Sequence, residues 1–201
     1  MIKNIIFDIG KVLVDFDPDR VMTDMNIDSD TRKELNRVMF HNPLWNEFDR
    51  SVLNSDEILE RFYKLSPDNT ALIRKVFSNV GNMIVPRDYV MPWLHDLKKQ
   101  GYRLYILSNY AEYTYGLTHE KLKFLKLMDG ILFSYQCKMI KPEIEIYKEL
   151  LSRFNLIPSE CIFIDDKEEN IEGGKSLGIN GIVFHSFEEV KNQLNSLLNK
   201  S

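Results

Sequence analysis

Apolar residues in this chain fall into two kinds of run. Continuous stretches rich in Ile, Val, Leu, Phe and Tyr occupy Ile2–Phe7, Arg103–Leu107, Ile131–Phe133, Cys161–Ile164 and Gly181–Phe184. Because they are unbroken rather than alternating, they predict strands buried on both faces, as in a parallel sheet. Between the later ones the spacing switches to that of helices. Pro142 is suited to a first helical turn and precedes Ile144, Tyr147, Leu150, Leu151 and Phe154. Ser186 with Glu189 forms a capping box ahead of Val190, Leu194, Leu197 and Leu198. Strand and helix alternating from about residue 86 onward predict a doubly wound, Rossmann-like α/β core with a parallel sheet.

Residues 19–85 break that alternation. They carry no strand pattern but several amphipathic helix patterns, one with Ile58, Leu59, Phe62 and Tyr63 behind a capping Ser55. Another opens at Ser66-Pro67-Asp68 and places Leu72, Ile73, Val76 and Phe77 on one side. The division that follows is an α/β core of residues 1–18 and 86–201 with a helical cap, 19–85, inserted after the first strand. No repeat or low-complexity linker separates the two.

A chain of 201 residues with 44% hydrophobic content supports one sizeable core and a modest satellite lobe. Its net charge of −4, with signs mixed, offers no broad basic field, which argues against nucleic acid or an anionic membrane as the main partner. A small ligand is the expected partner, and the chain is expected to be a monomer or small homo-oligomer. The two cysteines, Cys137 and Cys161, make no disulfide framework. The amino-terminal MIKNIIFDIG has a carboxylate at position 8 and no signal-peptide pattern, and no run reaches the ~18 apolar residues of a membrane span, so a cytoplasmic setting is expected.

Polar chemistry gathers where the strand patterns stop. Asp8 follows Lys3–Phe7 and precedes Ile9-Gly10; Ser108-Asn109 closes YILSN; Lys141-Pro142 stands at a predicted helix start; Asp165-Asp166 closes CIFIDD. In a parallel sheet these segments would share the carboxyl edge, where open α/β sheets hold their ligands. A carboxylate beside a divalent cation stays ionised and can attack phosphorus. Two adjacent carboxylates repel and call for a metal or a lysine, and Mg²⁺ suits such hard oxygen donors. Asn170, one turn beyond, can orient the acidic loop, and Gly173-Gly174 can let its helix approach the sheet. Ser108 and Asn109 supply neutral donors for phosphate oxygens, and Lys141 an ammonium, with Lys138 as a competing candidate.

The strings FDIGKVLVDFD, LSN, KPEIEIY and IDDKEENIEG resemble, in order and spacing, the four motifs of the haloacid dehalogenase superfamily, and the helical insertion resembles its small α-helical cap. Within it the chain looks closest to bacterial sugar-phosphate phosphatases of the glucose-1-phosphatase type, whose first motif reads DxGNV. The resemblance implies a Mg²⁺-dependent phosphomonoester hydrolase acting on a small phosphorylated metabolite through an aspartyl-phosphate. It implies Asp8 as nucleophile and metal ligand, the carbonyl of Gly10 and the carboxylate of Asp166 as further ligands, and Ser108, Asn109 and Lys141 at the phosphate. The acidic pair argues against the dehalogenase branch, which uses no magnesium.

One departure matters for mechanism. Most phosphatases of the superfamily carry an aspartate two residues after the nucleophile as general acid and base, a contribution typically worth ~10²–10⁴-fold in rate; here that position is Gly10. Lys11, Asp15 or a cap residue are the candidate substitutes. In the cap, His41, Trp45, Glu47, Asp49 and Arg50 form a polar-aromatic cluster suited to a sugar, although Trp45 and Phe48 at i, i+3 also fit plain cap packing. His95, His119 and His185 show no metal-ligand spacing. Of two rival readings, a receiver-like domain phosphorylated on aspartate is disfavoured, since by family resemblance it would be shorter, with its acidic pair near the amino terminus and no inserted cap; a metal- and phosphate-binding regulatory protein without turnover remains open.

Overall fold

The computed structural model describes residues 1–198. Strand β1 (Asn4–Phe7) leads through a turn into β2 (Val14–Phe16) and then into a run of helices: α1 (Pro18–Asp24), α2 (Ser29–Leu35) continuing as a π-helical turn over Asn36–Phe40, α3 (Leu44–Arg50), α4 (Ser55–Leu65) and α5 (Thr70–Ser78). Strand β3 (Ile84–Pro86) and α6 (Val90–Lys99) return the chain to β4 (Arg103–Ser108), followed by α7 (Glu112–Thr118) and β5 (Gly130–Phe133). After these come α8 (Ser134–Cys137), α9 (Ile144–Arg153), β6 (Cys161–Asp165), α10 (Glu168–Lys175), β7 (Asn180–Val183) and α11 (Phe187–Leu198). Residues 199–201 of the expected core unit lie outside the described residues.

The expected strands pair in parallel in the order β5-β4-β1-β6-β7. Chain order runs outward from β1 on one side, then jumps back to its other side, so the end of β1 is the topological switch point where a ligand crevice opens. Alternation along β1 divides the core into two layers. Ile5 and Phe7 pack with Trp93, Leu94, Val190 and Leu194 of α6 and α11, whereas Ile6 packs with Ile146, Tyr147 and Ile171 of α9 and α10. The paired glycines of α10 divide their work: a Cβ on Gly173 would lie 2.9 Å from the Tyr147 ring of α9, and one on Gly174 3.5 Å from Phe163 of β6.

The helical insert has its own buried cluster, including Met22, Leu35, Phe48, Ile58, Phe62, Ile73 and Phe77. It is joined to the sheet domain by an antiparallel ribbon in which Val14 pairs with Pro86 and Phe16 with Ile84. This ribbon corrects the expectation of no strand between 19 and 85, since β3 begins at Ile84. Three-residue strands with one buried position are too short to show a period.

Local starts also differ from expectation. The cap of α4 is Asn54, not Ser55: its side chain accepts from Asp56 and Glu57 backbone N–H groups at 3.0 Å each, and Glu57 accepts from Asn54 N at 2.8 Å, a complete capping box. Pro142 stands outside α9, which begins at Ile144 after a cis Lys141–Pro142 peptide. At α11, Ser186 Oγ accepts from Glu189 N at 3.3 Å, one arm of the expected box. Both cysteines are free, and no helix among the described residues is long and apolar enough to cross a membrane.

Candidate active site

Asp8 is the first residue beyond β1, and its N–H continues the ladder by donating to Ile164 O at 2.9 Å. That register sets it beside Asp165, the last residue of β6. Lys141 reaches in from the loop before α9 and joins them: its Nζ donates to Asp8 Oδ1 at 2.7 Å and to Asp165 Oδ2 at 2.6 Å. All three are buried, with Lys141 only 3% exposed.

Each member is held by a further contact. Asn109, immediately after β4, accepts from Lys141 N at 2.8 Å and donates from Nδ2 to Lys141 O at 3.1 Å. Asp165 also accepts from Lys167 N at 2.8 Å and from Asn170 Nδ2 at 2.9 and 3.0 Å, so both of its oxygens are engaged. Tyr147 donates to Asn170 O at 2.8 Å, fixing the first turn of α10. Asp166 is left facing the cavity, with only the exposed Lys11 at 3.6 Å. Asp8, Asp165 and Asp166 each present a carboxylate oxygen, all within 4.8 Å of one another.

Burial dominates the electrostatics. It pushes the Asp8 carboxyl up to about 6, with Asp165 adding to the rise and Lys141 and the Ser108 hydroxyl opposing it. The same burial works to discharge Lys141, but Asp165 and Asp8 outweigh it and hold the ammonium above its ordinary value. Asp166 is raised by burial and by Asp165, against Lys11. One buried ammonium therefore serves a cluster of three carboxylates, an imbalance that a divalent cation with hard oxygen ligands would relieve. Because Asp165 is fully hydrogen-bonded, the donor set left for such an ion is Asp8 and Asp166.

A cavity of roughly 700 Å³ opens over this edge. Ser108, Asn109 and Lys141 line its floor, and His41, Trp45 and Asp49 line the side formed by the insert. Phe16, Phe40 and Trp45 form an aromatic wall, with Phe40 and Trp45 ring centroids 4.8 Å apart and Phe16 and Phe40 5.7 Å apart. Trp45 and Asp49, four apart on α3, share the cavity face. Glu47 and Arg50 lie outside the cavity lining, contrary to the expected cluster. Arg50 pairs with Glu47 at 3.3 Å and with Glu143 of the loop before α9, tying insert to sheet domain.

Other expectations are redistributed. Lys138 donates to Ser51 O at 2.7 Å and so belongs to that tie, leaving Lys141 as the site lysine. Asp15 pairs with Arg87 at 2.8 Å outside the cavity lining. Asn109 uses its side-chain amide to position Lys141 rather than presenting it to a ligand. A Cβ on Gly10 would meet nothing nearer than Asp8 Oδ2 at 3.7 Å, so no lack of space requires glycine there.

A family model described as haloacid dehalogenase-like hydrolase matches residues 5–184. D-ribitol-5-phosphate phosphatase of Bacteroides thetaiotaomicron is 28% identical over 214 residues, covering 99% of this chain and 100% of that protein. Drimenol cyclase of Aspergillus calidoustus is 25% identical over 200 residues, 98% of this chain, which spans 37% of the cyclase's length. Among solved structures, a HAD family enzyme of Bacteroides thetaiotaomicron in complex with magnesium and inorganic phosphate aligns with a TM-score of 0.74 at 21% identity, covering 94% of this chain and 99% of that one. With the family model running from β1 past β7, across every strand of the sheet and the edge that carries Asp8, Lys141 and Asp165, the chain belongs to the haloacid dehalogenase-like hydrolases.

Proposed function

We propose that this chain is a Mg²⁺-dependent phosphomonoesterase that hydrolyses a small phosphorylated metabolite, with a sugar or polyol phosphate favoured, through an aspartyl-phosphate on Asp8. The observation that carries this reading is the placement of Asp8 at the switch point of the sheet, under the cavity, sharing Lys141 with a fully hydrogen-bonded Asp165. The full-length similarity to a polyol phosphate phosphatase supports the substrate class.

Asp8, Asp166 and the carbonyl of Gly10 would hold the Mg²⁺, which when bound screens the repulsion between carboxylate and phosphate and polarises the phosphoryl group. Asp8 attacks phosphorus in line and the ester oxygen departs, leaving an acyl-phosphate that water then hydrolyses. Lys141 neutralises charge on the phosphoryl oxygens while keeping Asp8 aligned, and the Ser108 hydroxyl donates to one of those oxygens. The insert acts as the cap, closing the cavity and selecting the leaving group through Trp45, Phe40 and His41.

The test is hydrolysis of p-nitrophenyl phosphate and a panel of sugar and polyol phosphates in Mg²⁺ and in EDTA, comparing wild type with Asp8→Asn. Metal-dependent turnover lost in the variant is the expected result; a wild type that hydrolyses nothing overturns the reading in favour of a non-catalytic binding protein. The aromatic wall favours a second reading of the leaving group alone, an ester of an apolar or aryl alcohol, and the panel therefore includes an isoprenyl monophosphate.

A further inference from the structure

One carboxylate in the cavity has no protein partner. Asp49 lines it together with Asp8 and Asp166, and among the described residues its side chain makes no hydrogen bond or ion pair. Its backbone, by contrast, is fastened to the sheet domain. Ser134 Oγ donates to Asp49 O at 2.6 Å while accepting from Tyr110 N at 2.8 Å. The next residue, Arg50, pairs with Glu143, and Ser51 is held on both sides, its Oγ accepting from Glu112 N at 3.0 Å and its O from Lys138 Nζ at 2.7 Å. The end of α3 is thus tied to the sheet domain at the residue whose unbonded carboxyl shares the cavity with Asp8 and Asp166.

The other proton donors around the cavity are committed or exposed. Lys11 is exposed and paired with Asp166. The Tyr110 hydroxyl is bonded to Thr118 at 2.8 Å, and burial raises it far above its ordinary value. His41 and Lys167 are solvent-exposed, and Asp17 caps α1 by accepting from Arg20 N at 2.9 Å.

We propose that Asp49 is the general acid and base of the reaction, taking from the insert the role that Gly10 leaves vacant. The inference rests on the phosphomonoesterase reading. In the first step the bond from Asp8 to phosphorus forms, the bond from phosphorus to the ester oxygen breaks, and the Asp49 proton passes to that oxygen, releasing the alcohol. In the second, the Asp49 carboxylate takes a proton from water as its oxygen bonds to phosphorus and the acyl-phosphate bond breaks, releasing inorganic phosphate and restoring both carboxyls. Asp49 has the proton affinity for both tasks. Burial raises its carboxyl to about 7, with the charge of Asp8 adding to this and Lys167 and Lys141 opposing it, so both forms are populated near neutrality.

The experiment is pre-steady-state hydrolysis of p-nitrophenyl and phenyl phosphate with Mg²⁺ by wild type, Asp49→Asn, Asp49→Glu and Asp49→Asn/Gly10→Asp, with intact-protein mass spectrometry of quenched samples. In Asp49→Asn, a p-nitrophenol burst followed by turnover slowed about 10²-fold, with phosphoryl-enzyme accumulating, is expected, because the nitrophenolate needs no acid but the water still needs a base. With phenyl phosphate the burst itself should slow by a similar factor. Asp49→Glu should keep turnover within about tenfold, and Gly10→Asp should restore part of what Asp49→Asn loses. Asp49→Asn that handles both esters at the wild-type rate overturns the inference and leaves the aspartyl-phosphate reading standing. Equal losses in Asp49→Asn and Asp49→Glu with no phosphoryl-enzyme also overturn it, in favour of a structural role. A wild type without turnover, or an active Asp8→Asn, brings down the underlying reading instead.

Discussion

Asn109 and Lys141 grip each other twice, N–H to Oδ1 at 2.8 Å and Nδ2 to O at 3.1 Å, across the gap between the end of β4 and the loop before α9. The pair converts the position of one strand into the position of the ammonium that touches Asp8. Asn109→Ala leaves a partly buried N–H and C=O unpaired, a cost of about 1–3 kcal/mol, and frees Lys141 to drift. The expected outcome is a kcat reduced at least tenfold with a smaller change in KM, measured by steady-state kinetics, together with a lowered urea midpoint.

Among the described residues, Lys141 is the only cation in direct contact with Asp8 and Asp165. Replacing it by Met leaves two buried carboxylates facing each other. Breaking such a pair typically costs about 3–5 kcal/mol, so Lys141→Met should be strongly destabilised in EDTA. Saturating Mg²⁺ should return part of that stability, because the cation takes over the neutralising role, while activity stays absent. Urea unfolding with and without metal separates the two effects.

Much of this site is legible before folding is considered, and the reason is register. Asp8, Ser108 and Asp165 each sit at the end of an unbroken apolar run, and in a parallel sheet the ends of such runs meet. Lys141 joins them through a loop, and only its place in the motif order marks it out over Lys138. What stayed illegible has both local and long-range causes. The ribbon of β2 and β3 is too short for a period, and Asn54 caps α4 because its neighbour Glu57 completes the box. Within FHNPLWNEFDRS the helical spacing that places Trp45 and Asp49 on the cavity also turns Glu47 and Arg50 away, but which pair faces inward is decided by Glu143, nearly a hundred residues on in the chain.

The two raised carboxyls predict an unusual pH dependence. Asp49 is lifted to about 7 and Asp8 to about 6 by burial, whereas in the unfolded chain both return to about 3.9. Between those limits these two groups bind more protons in the folded state than in the unfolded one, so the stability they contribute is fully present in acid and is lost as pH rises from about 4 to 7. Urea midpoints in EDTA should fall across that window. In Asp8→Asn/Asp49→Asn the slope should flatten.

Arg50 tests the tie between insert and sheet domain. Arg50→Ala removes the contacts to Glu143 and to Lys138 O while leaving Asp8 and Lys141 untouched. The insert should open more often, giving faster proteolytic cleavage within residues 19–85 and a KM raised several-fold. Hydrogen exchange confined to α3 and the loop before α9 would locate the change.

The most direct measurement is peptide mass spectrometry on wild type and Asp8→Asn quenched during turnover of p-nitrophenyl phosphate with Mg²⁺. A phosphoryl group on the peptide containing Asp8, with no turnover in the variant, is the predicted result. Hydrolysis by Asp8→Asn at the wild-type rate, or turnover with the phosphoryl group on a different residue, would contradict the account.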